Sequence, residues 1–170
     1  MQQSLFKKLI PLLSIFVLII AMTLGTAWYQ NDLGSMNIMM LSMAFFFLVF
    51  GLFKLYNLKG FAKAYAMYDV IAIRSKTYAH MYPFIEIGLG LLYLFSIGEI
   101  SRDIFTFVIM SISGYGVWKA LREQGEIPCA CLGTVFKVPM TKVTLFENLF
   151  MALMALYMIF IYLTMGNMVM

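Results

Sequence analysis

The residues best suited to chemistry in this sequence are its only two cysteines, Cys129 and Cys131, which are separated by one alanine. Pro128 precedes the pair and Gly133 follows it, and both residue types interrupt helices and favour turns. Two thiols at positions i and i+2 can close a small disulfide ring if the backbone brings the Cα atoms within about 7 Å. Because a strained, exposed disulfide is labile and oxidising, the pattern favours a thiol–disulfide redox pair.

Two other interpretations of the cysteine pair remain open. Two thiolates can hold a soft cation such as Cu(I), for which Met140 is a further candidate ligand. A zinc site needs about four ligands, and besides carboxylates the chain offers only the single histidine His80. The cysteines can also be inert small residues. The 16 methionines favour packing over a metal path, because helical spacing is also what a core requires.

Two carboxylates and the histidine lie within or beside apolar stretches. Glu86 is a functional candidate because an ionisable group in a membrane span is costly, and it could relay a proton for the thiols or a quinone. Its position near the expected start of a helix also fits a structural role. The segment Thr144-Leu145-Phe146-Glu147 predicts a capping box that opens the last helix. His80 is expected to form a hydrogen bond rather than bind a metal.

The composition places these residues in a membrane. The chain is 63% hydrophobic and 12% charged, whereas soluble globular proteins contain about 25% charged residues. Its mean hydropathy is +0.90. Five apolar stretches reach or approach the roughly 20 residues that a spanning helix needs, at about 9–29, 36–53, 79–97, 104–121 and 145–165. We therefore predict one all-α integral membrane domain over residues 1–170, embedded in a lipid bilayer.

Two segments of the predicted membrane domain need separate interpretation. The first apolar stretch follows two lysines and contains small residues near its end, so a signal peptide is an alternative to the expected retained span. Between the second and third spans, an apolar helical face predicts an amphipathic helix that lies in the headgroup region, with a solvated connector as the alternative. That face consists of Phe61, Tyr65, Tyr68 and Ala72.

The distribution of basic residues predicts an orientation. Of the 12 Lys and Arg residues, all except Arg102 fall in segments that five spans place on one side. The positive-inside rule then puts the N-terminus and the cysteine segment in the cytoplasm, and the C-terminus outside. We expect a bacterial-type inner membrane. A net charge of +4 without a basic stripe indicates no nucleic-acid partner.

Several motifs occur together in an order typical of one family. They are Phe50-Gly51-Leu52-Phe53-Lys54-Leu55, then Phe61 and Tyr68, then Tyr82-Pro83-Phe84-Ile85-Glu86 with Gly88 and Gly90, and finally Cys129-Ala130-Cys131-Leu132-Gly133. Over about residues 36–165 the chain resembles the MauE/DoxX family of redox-associated membrane proteins. MauE proteins typically carry Phe where this chain has Leu132.

The resemblance implies a four-helix membrane core, here with one extra N-terminal transmembrane helix at about 9–29. It also implies thiol–disulfide chemistry in the maturation of exported proteins, notably in methylamine utilisation, with Cys129 and Cys131 as the redox pair. Glu86 would be the buried acid and Lys54 an interfacial basic residue. One cysteine thiolate would attack a disulfide of a partner protein, and the other would resolve the mixed disulfide. A quinone is a candidate electron acceptor, and Cu(I) belongs to the alternative metal-binding function.

Overall fold

The computed structural model describes residues 2–123 and 142–168, with side chains described for 10–123 and 145–164. Within these ranges the regular structure is helical. The helices are α1 (Gln2–Tyr29), α2 (Ser35–Tyr56), α3 (Leu58–Tyr65), α4 (Lys76–Leu94), α5 (Glu99–Glu123) and α6 (Lys142–Met168). The five predicted spans correspond to α1, α2, α4, α5 and α6, with boundaries that differ by a few residues. The all-α prediction is therefore confirmed.

Helices α2, α4, α5 and α6 form a four-helix bundle. The closest pairs are α2 with α4 and α5 with α6, and contacts of α4 with α5 and of α2 with α6 close the ring. Helix α1 packs against α2 through a separate apolar cluster that includes Leu12, Ile19, Leu41 and Phe45. The arrangement agrees with a four-helix core that carries one extra N-terminal helix.

The outside of the bundle is apolar. Large hydrophobic side chains such as Val17, Phe160 and Leu163 are more than half exposed, which water disfavours and lipid tolerates. Aromatic residues stand exposed at helix ends, including Trp28, Tyr29 and Tyr56, as is common at membrane interfaces. This is the surface of an integral membrane protein.

Four of the described helices are long and apolar enough to cross a membrane, namely α1, α2, α5 and α6. Helix α4 is not among them, because polar and charged side chains, including Lys76, His80 and Glu86, lower its hydropathy. The five-span topology and the orientation derived from it therefore stay predictions.

The predicted amphipathic helix is present as α3. It is shorter than expected, and its apolar face points into the protein. It ends at Tyr65, and the chain then turns through residues 66–75. The predicted apolar face is buried in the protein core rather than directed at lipid, whereas Lys59 and Lys63 on the other face are exposed. The expectation that this face lies on the membrane was wrong, because the bundle supplies enough apolar surface to bury it.

Asp69 explains why the helix does not continue. Its carboxylate is fully buried and accepts hydrogen bonds from the backbone N–H groups of Ile71 and Ala72, each at 2.9 Å, and from the hydroxyl of Tyr65 at 2.9 Å. A buried carboxylate that takes several hydrogen bonds stabilises a turn in place of a helix. The turn holds Tyr65 against the bundle.

Glycines allow α2 and α4 to approach closely. A Cβ atom on Gly90 would lie 3.0 Å from the backbone nitrogen of Leu48, and one on Gly51 would lie 3.3 Å from the carbonyl oxygen of Pro83. Small residues at such crossings are typical of packed membrane helices. The close approach brings the last turn of α2 to the middle of α4.

We predict opposite effects for two neighbouring glycine substitutions in α4. Gly90→Ala should lower the thermal unfolding temperature in detergent, because the new methyl group meets the α2 backbone. Gly88→Ala should be neutral or stabilising by up to about 1 kcal/mol, since a Cβ there meets nothing within 4 Å and alanine is the better helix former. Equal effects of the two substitutions would show that α2 and α4 do not cross at Gly90.

Candidate functional site

The centre of the candidate site is an ion pair between α2 and α4. Lys54 lies in the last turn of α2 and donates a hydrogen bond from Nζ to Oε1 of Glu86 in α4. The side chains are 9% and 2% exposed. A charge inside a membrane protein is stable only when it is paired or faces a polar cavity, so these two residues depend on each other.

Aromatic rings surround the ammonium group of Lys54. The ring centroids of Phe61 and Tyr82 lie 5.5 Å and 5.1 Å from Nζ, within the range of cation–π attraction. The ring centroid of Tyr65 lies 4.5 Å from the ring centroid of Tyr82. Burial raises the pKa of the Tyr65 hydroxyl well above its ordinary value, so this group stays a neutral hydrogen-bond donor. The short helix α3 thus forms a wall of the site.

A cavity of about 40 Å³ adjoins the ion pair, and Glu147 of α6 also lines it. Oε2 of Glu86 and Oε1 of Glu147 are buried without a hydrogen-bond partner among the described residues. A water molecule needs roughly 10–15 Å³ of such space, so the cavity can accommodate one between these groups. Two carboxyl groups and one ammonium form an arrangement suited to holding and passing a proton.

Glu147 does not have the capping role predicted for it. Helix α6 begins at Lys142 and already contains Thr144, so Thr144 is not the residue that precedes the helix. Glu147 is instead 8% exposed and projects into the bundle. A local capping motif in the sequence could not reveal this, because the direction of the side chain depends on which face of α6 meets the other helices.

The two cysteines, Cys129 and Cys131, lie outside the described residues, so their predicted role stays a prediction. The helices that flank their segment both reach the cavity, through Val117 of α5 and Glu147 of α6. At a helical rise of about 1.5 Å per residue, α5 ends roughly 9 Å beyond Val117, and α6 begins roughly 8 Å before Glu147. The described end of α5 and the described start of α6 thus lie within about 9 Å, along each helix, of residues that line the cavity.

The described histidine and methionine side chains agree with structural roles. His80 is exposed, and its ring Nδ1 lies 2.8 Å from the carbonyl oxygen of Lys76, the hydrogen-bonding role expected for it. Met43, Met151 and Met158 are buried in the bundle core. Among the side chains described, those of residues 10–123 and 145–164, no three of the His, Cys, Asp and Glu types gather as metal ligands would.

A second buried ion pair was not anticipated. Nε of Arg102 donates to Oδ1 of Asp103 at 3.0 Å, and both side chains are fully buried. The guanidinium carbon of Arg102 lies 4.1 Å from the ring centroid of Tyr93. The count of basic residues assigned Arg102 to the opposite side of the membrane from the other eleven, and the structure adds that its side chain is buried in an ion pair. An adjacent Arg–Asp pair at the start of an apolar stretch is the signal that could have indicated pairing.

The chain matches a known protein family. Residues 33–161 match the family described as "Methylamine utilisation protein MauE". This chain belongs to the MauE family. The match begins after α1 and includes Lys54, Glu86, Glu147 and the cysteine segment. No curated protein and no solved structure gives a significant match.

Membership in the MauE family confirms the resemblance inferred from the sequence motifs. Two of those motifs, Phe50-Gly51-Leu52-Phe53-Lys54-Leu55 and Tyr82-Pro83-Phe84-Ile85-Glu86, meet in the structure through the bond between Lys54 and Glu86. Lys54 was expected at the membrane interface. The structure shows that its side chain is buried in the site, in the last turn of α2.

We predict strong coupling between Lys54 and Glu86. Lys54→Met should destabilise the protein by about 3–5 kcal/mol, because it leaves the Glu86 carboxylate buried without its cation. The double variant Lys54→Met/Glu86→Leu should recover most of this loss, since no uncompensated charge remains. Unfolding in mixed micelles, monitored by circular dichroism, measures both effects.

Lys63→Met is the matched control for this double-mutant cycle, because Lys63 is an exposed lysine on the adjacent helix α3. It should change the free energy of unfolding by less than about 0.5 kcal/mol. Additive effects of the Lys54 and Glu86 substitutions would contradict the pairing.

Proposed function

We propose that this MauE-family protein is a membrane thiol–disulfide redox protein that supports disulfide formation or maturation in a partner protein. Cys129 and Cys131 are the redox pair, and Glu86 is the acid–base group that serves them. The observation that carries the proposal is the buried cluster of Lys54, Glu86 and Glu147, which lines a cavity close to the helix ends that carry the cysteine segment.

The exchange proceeds through a mixed disulfide. A partner thiolate attacks one sulfur of the Cys129–Cys131 disulfide, forms a new S–S bond with it and releases the other cysteine as a thiolate. The second partner thiolate then attacks the mixed disulfide and releases the first cysteine. Two electrons and two protons pass from the partner dithiol to the cysteine pair, so the partner is oxidised and the pair is reduced.

The charged cluster supports the proton part of this exchange. A thiol must lose its proton before it attacks, and a displaced thiolate gains one when it becomes a thiol. Lys54 holds Oε1 of Glu86 and leaves Oε2 towards the cavity without a hydrogen-bond partner among the described residues. Glu86 can therefore accept and return a proton while the ion pair keeps its carboxylate in place.

The position of the partner depends on the orientation of the chain. The distribution of Lys and Arg puts the cysteine segment on the cytoplasmic side, where thiols are normally kept reduced. Disulfide formation in exported proteins requires access from the other side. We infer that the electrons taken up by the cysteine pair are passed on across or within the membrane. They are not passed to a cytoplasmic partner.

We predict that the cysteines exist as a reducible pair in native membranes. Thiol alkylation followed by mass spectrometry should find both cysteines unreactive before reduction and both alkylated after it. Protection of permanently free thiols by added Cu(I) would instead identify the soft-metal function. The thiols could also stay free and gain no protection from Cu(I). If the Cys129→Ser/Cys131→Ser variant then has no phenotype, both the redox function and the metal-binding function are rejected.

The contribution of Glu86 is tested by exchange kinetics on the same membranes. Glu86→Gln keeps the shape of the side chain but removes its acid–base function, and it should slow reduction of the pair by a model dithiol about 10²-fold. Glu123→Gln is the matched control, because Glu123 is 58% exposed at the end of α5. Equal rates for the two variants would remove Glu86 from the mechanism.

A further inference from the structure

A second, larger cavity lies between the extra helix and the bundle. Its volume is about 390 Å³, within the range of roughly 300–1,000 Å³ of small-molecule sites. Helix α1 packs against α2 but, in the described part of the chain, not against α6, and the cavity fills this gap. Its lining residues include Phe16, Phe46, Phe146, Glu147, Phe150 and Met154.

The cavity opens towards lipid. Ile20, Phe146 and Phe150 are among its lining residues, and each is more than half exposed on the apolar outer surface. A ligand therefore enters from the bilayer, which requires that it dissolve in lipid.

Glu147 connects this cavity with the charged site, because its side chain lines both. Its Oε1 is buried without a hydrogen-bond partner among the described residues, while Lys54, the cation of the charged site, is bound to Glu86. An unpaired carboxyl group in an apolar environment is least costly as the neutral acid. In that form its O–H can donate a hydrogen bond to a ligand oxygen.

The walls suit a flat ring. Phenylalanines come from all three helices, with Phe16 on α1, Phe46 on α2, and Phe146 and Phe150 on α6. The centroids of Phe16 and Phe46 are 6.4 Å apart, and the rings of Phe146 and Phe150 are stacked with centroids 6.0 Å apart. Aromatic side chains favour other rings at such separations.

We propose that the α1–α2–α6 cavity binds a lipid-soluble quinone. The ring lies among the phenylalanines, a ring carbonyl oxygen accepts the hydrogen bond of Glu147, and the apolar tail extends over the lipid-facing surfaces of α1 and α6. A saturated acyl chain explains neither the aromatic walls nor the buried carboxyl group, and an anionic lipid headgroup would bury an uncompensated charge in this apolar cavity.

The use of this quinone as an electron acceptor rests on the proposed function, whereas its binding does not. In that role the two thiols of Cys129 and Cys131 lose two electrons and two protons and form one S–S bond. The quinone takes up both electrons and both protons and becomes the quinol. Glu147, which lines both cavities, lies on the path of these protons.

The test uses the full chain, purified, delipidated and reconstituted in nanodiscs, with a short-chain ubiquinone analogue as the probe. Equilibrium binding should saturate at one quinone per chain. Glu147→Leu should weaken binding about tenfold, the effect of one lost hydrogen bond to a buried acid. Met154→Trp should abolish it by filling the cavity, whereas Leu163→Trp, which is lipid-exposed on the same helix, should leave it unchanged.

Photo-labelling of the unmodified protein with an azidoquinone provides a test that does not depend on how the variants fold. Label concentrated on the lining segments of α1, α2 and α6 supports the site. Label spread over the whole apolar surface, or displacement of the quinone by an equal concentration of a saturated fatty acid, overturns it.

The Cys129→Ser/Cys131→Ser variant separates this inference from the proposed function. It should bind the quinone as tightly as the unmodified chain. Quinone binding by a protein whose thiols prove inert would reject only the thiol–disulfide function. Absence of binding in a protein with a reducible cysteine pair would reject only the quinone site.

Discussion

The ammonium group of Lys54 and the carboxylate of Glu86 are buried in a helix bundle whose outer surface is apolar, and neither charge is tolerable there alone. Their bond joins residues 32 positions apart, so it forms only when α2 and α4 are packed closely. Gly51 and Gly90 permit that approach. The requirement to pair these charges therefore constrains how the bundle is assembled.

The surroundings of the pair follow from the same requirement. Phe61 and Tyr82 place their rings near the ammonium group, and the turn held by Asp69 keeps α3 against the bundle. Glu147 adds a second carboxyl group from α6. The result is a small polar interior in a protein that otherwise presents apolar surface.

Helix α1 lies outside the family match and helps to form the apolar cavity. The matched residues, 33–161, begin after it, yet α1 supplies one wall of the apolar cavity that meets Glu147. The bundle alone contains the charged site, and the added helix creates a lipid-facing compartment beside it. A protein arranged in this way can connect proton chemistry in its core with an apolar reactant from the bilayer.

The sequence by itself determined the helical membrane architecture, since runs of apolar residues report length and hydropathy directly. It also singled out Glu86 and, through family motifs, Lys54. Tertiary structure decided that these two residues bind each other, that the aromatic face of α3 turns into the protein, and that Arg102 is buried in an ion pair with Asp103. Glu147 changed from a predicted helix cap to a wall of both cavities. Periodicity describes one helix at a time, whereas these outcomes depend on which faces of different helices meet, and that is set by packing between residues far apart in the chain.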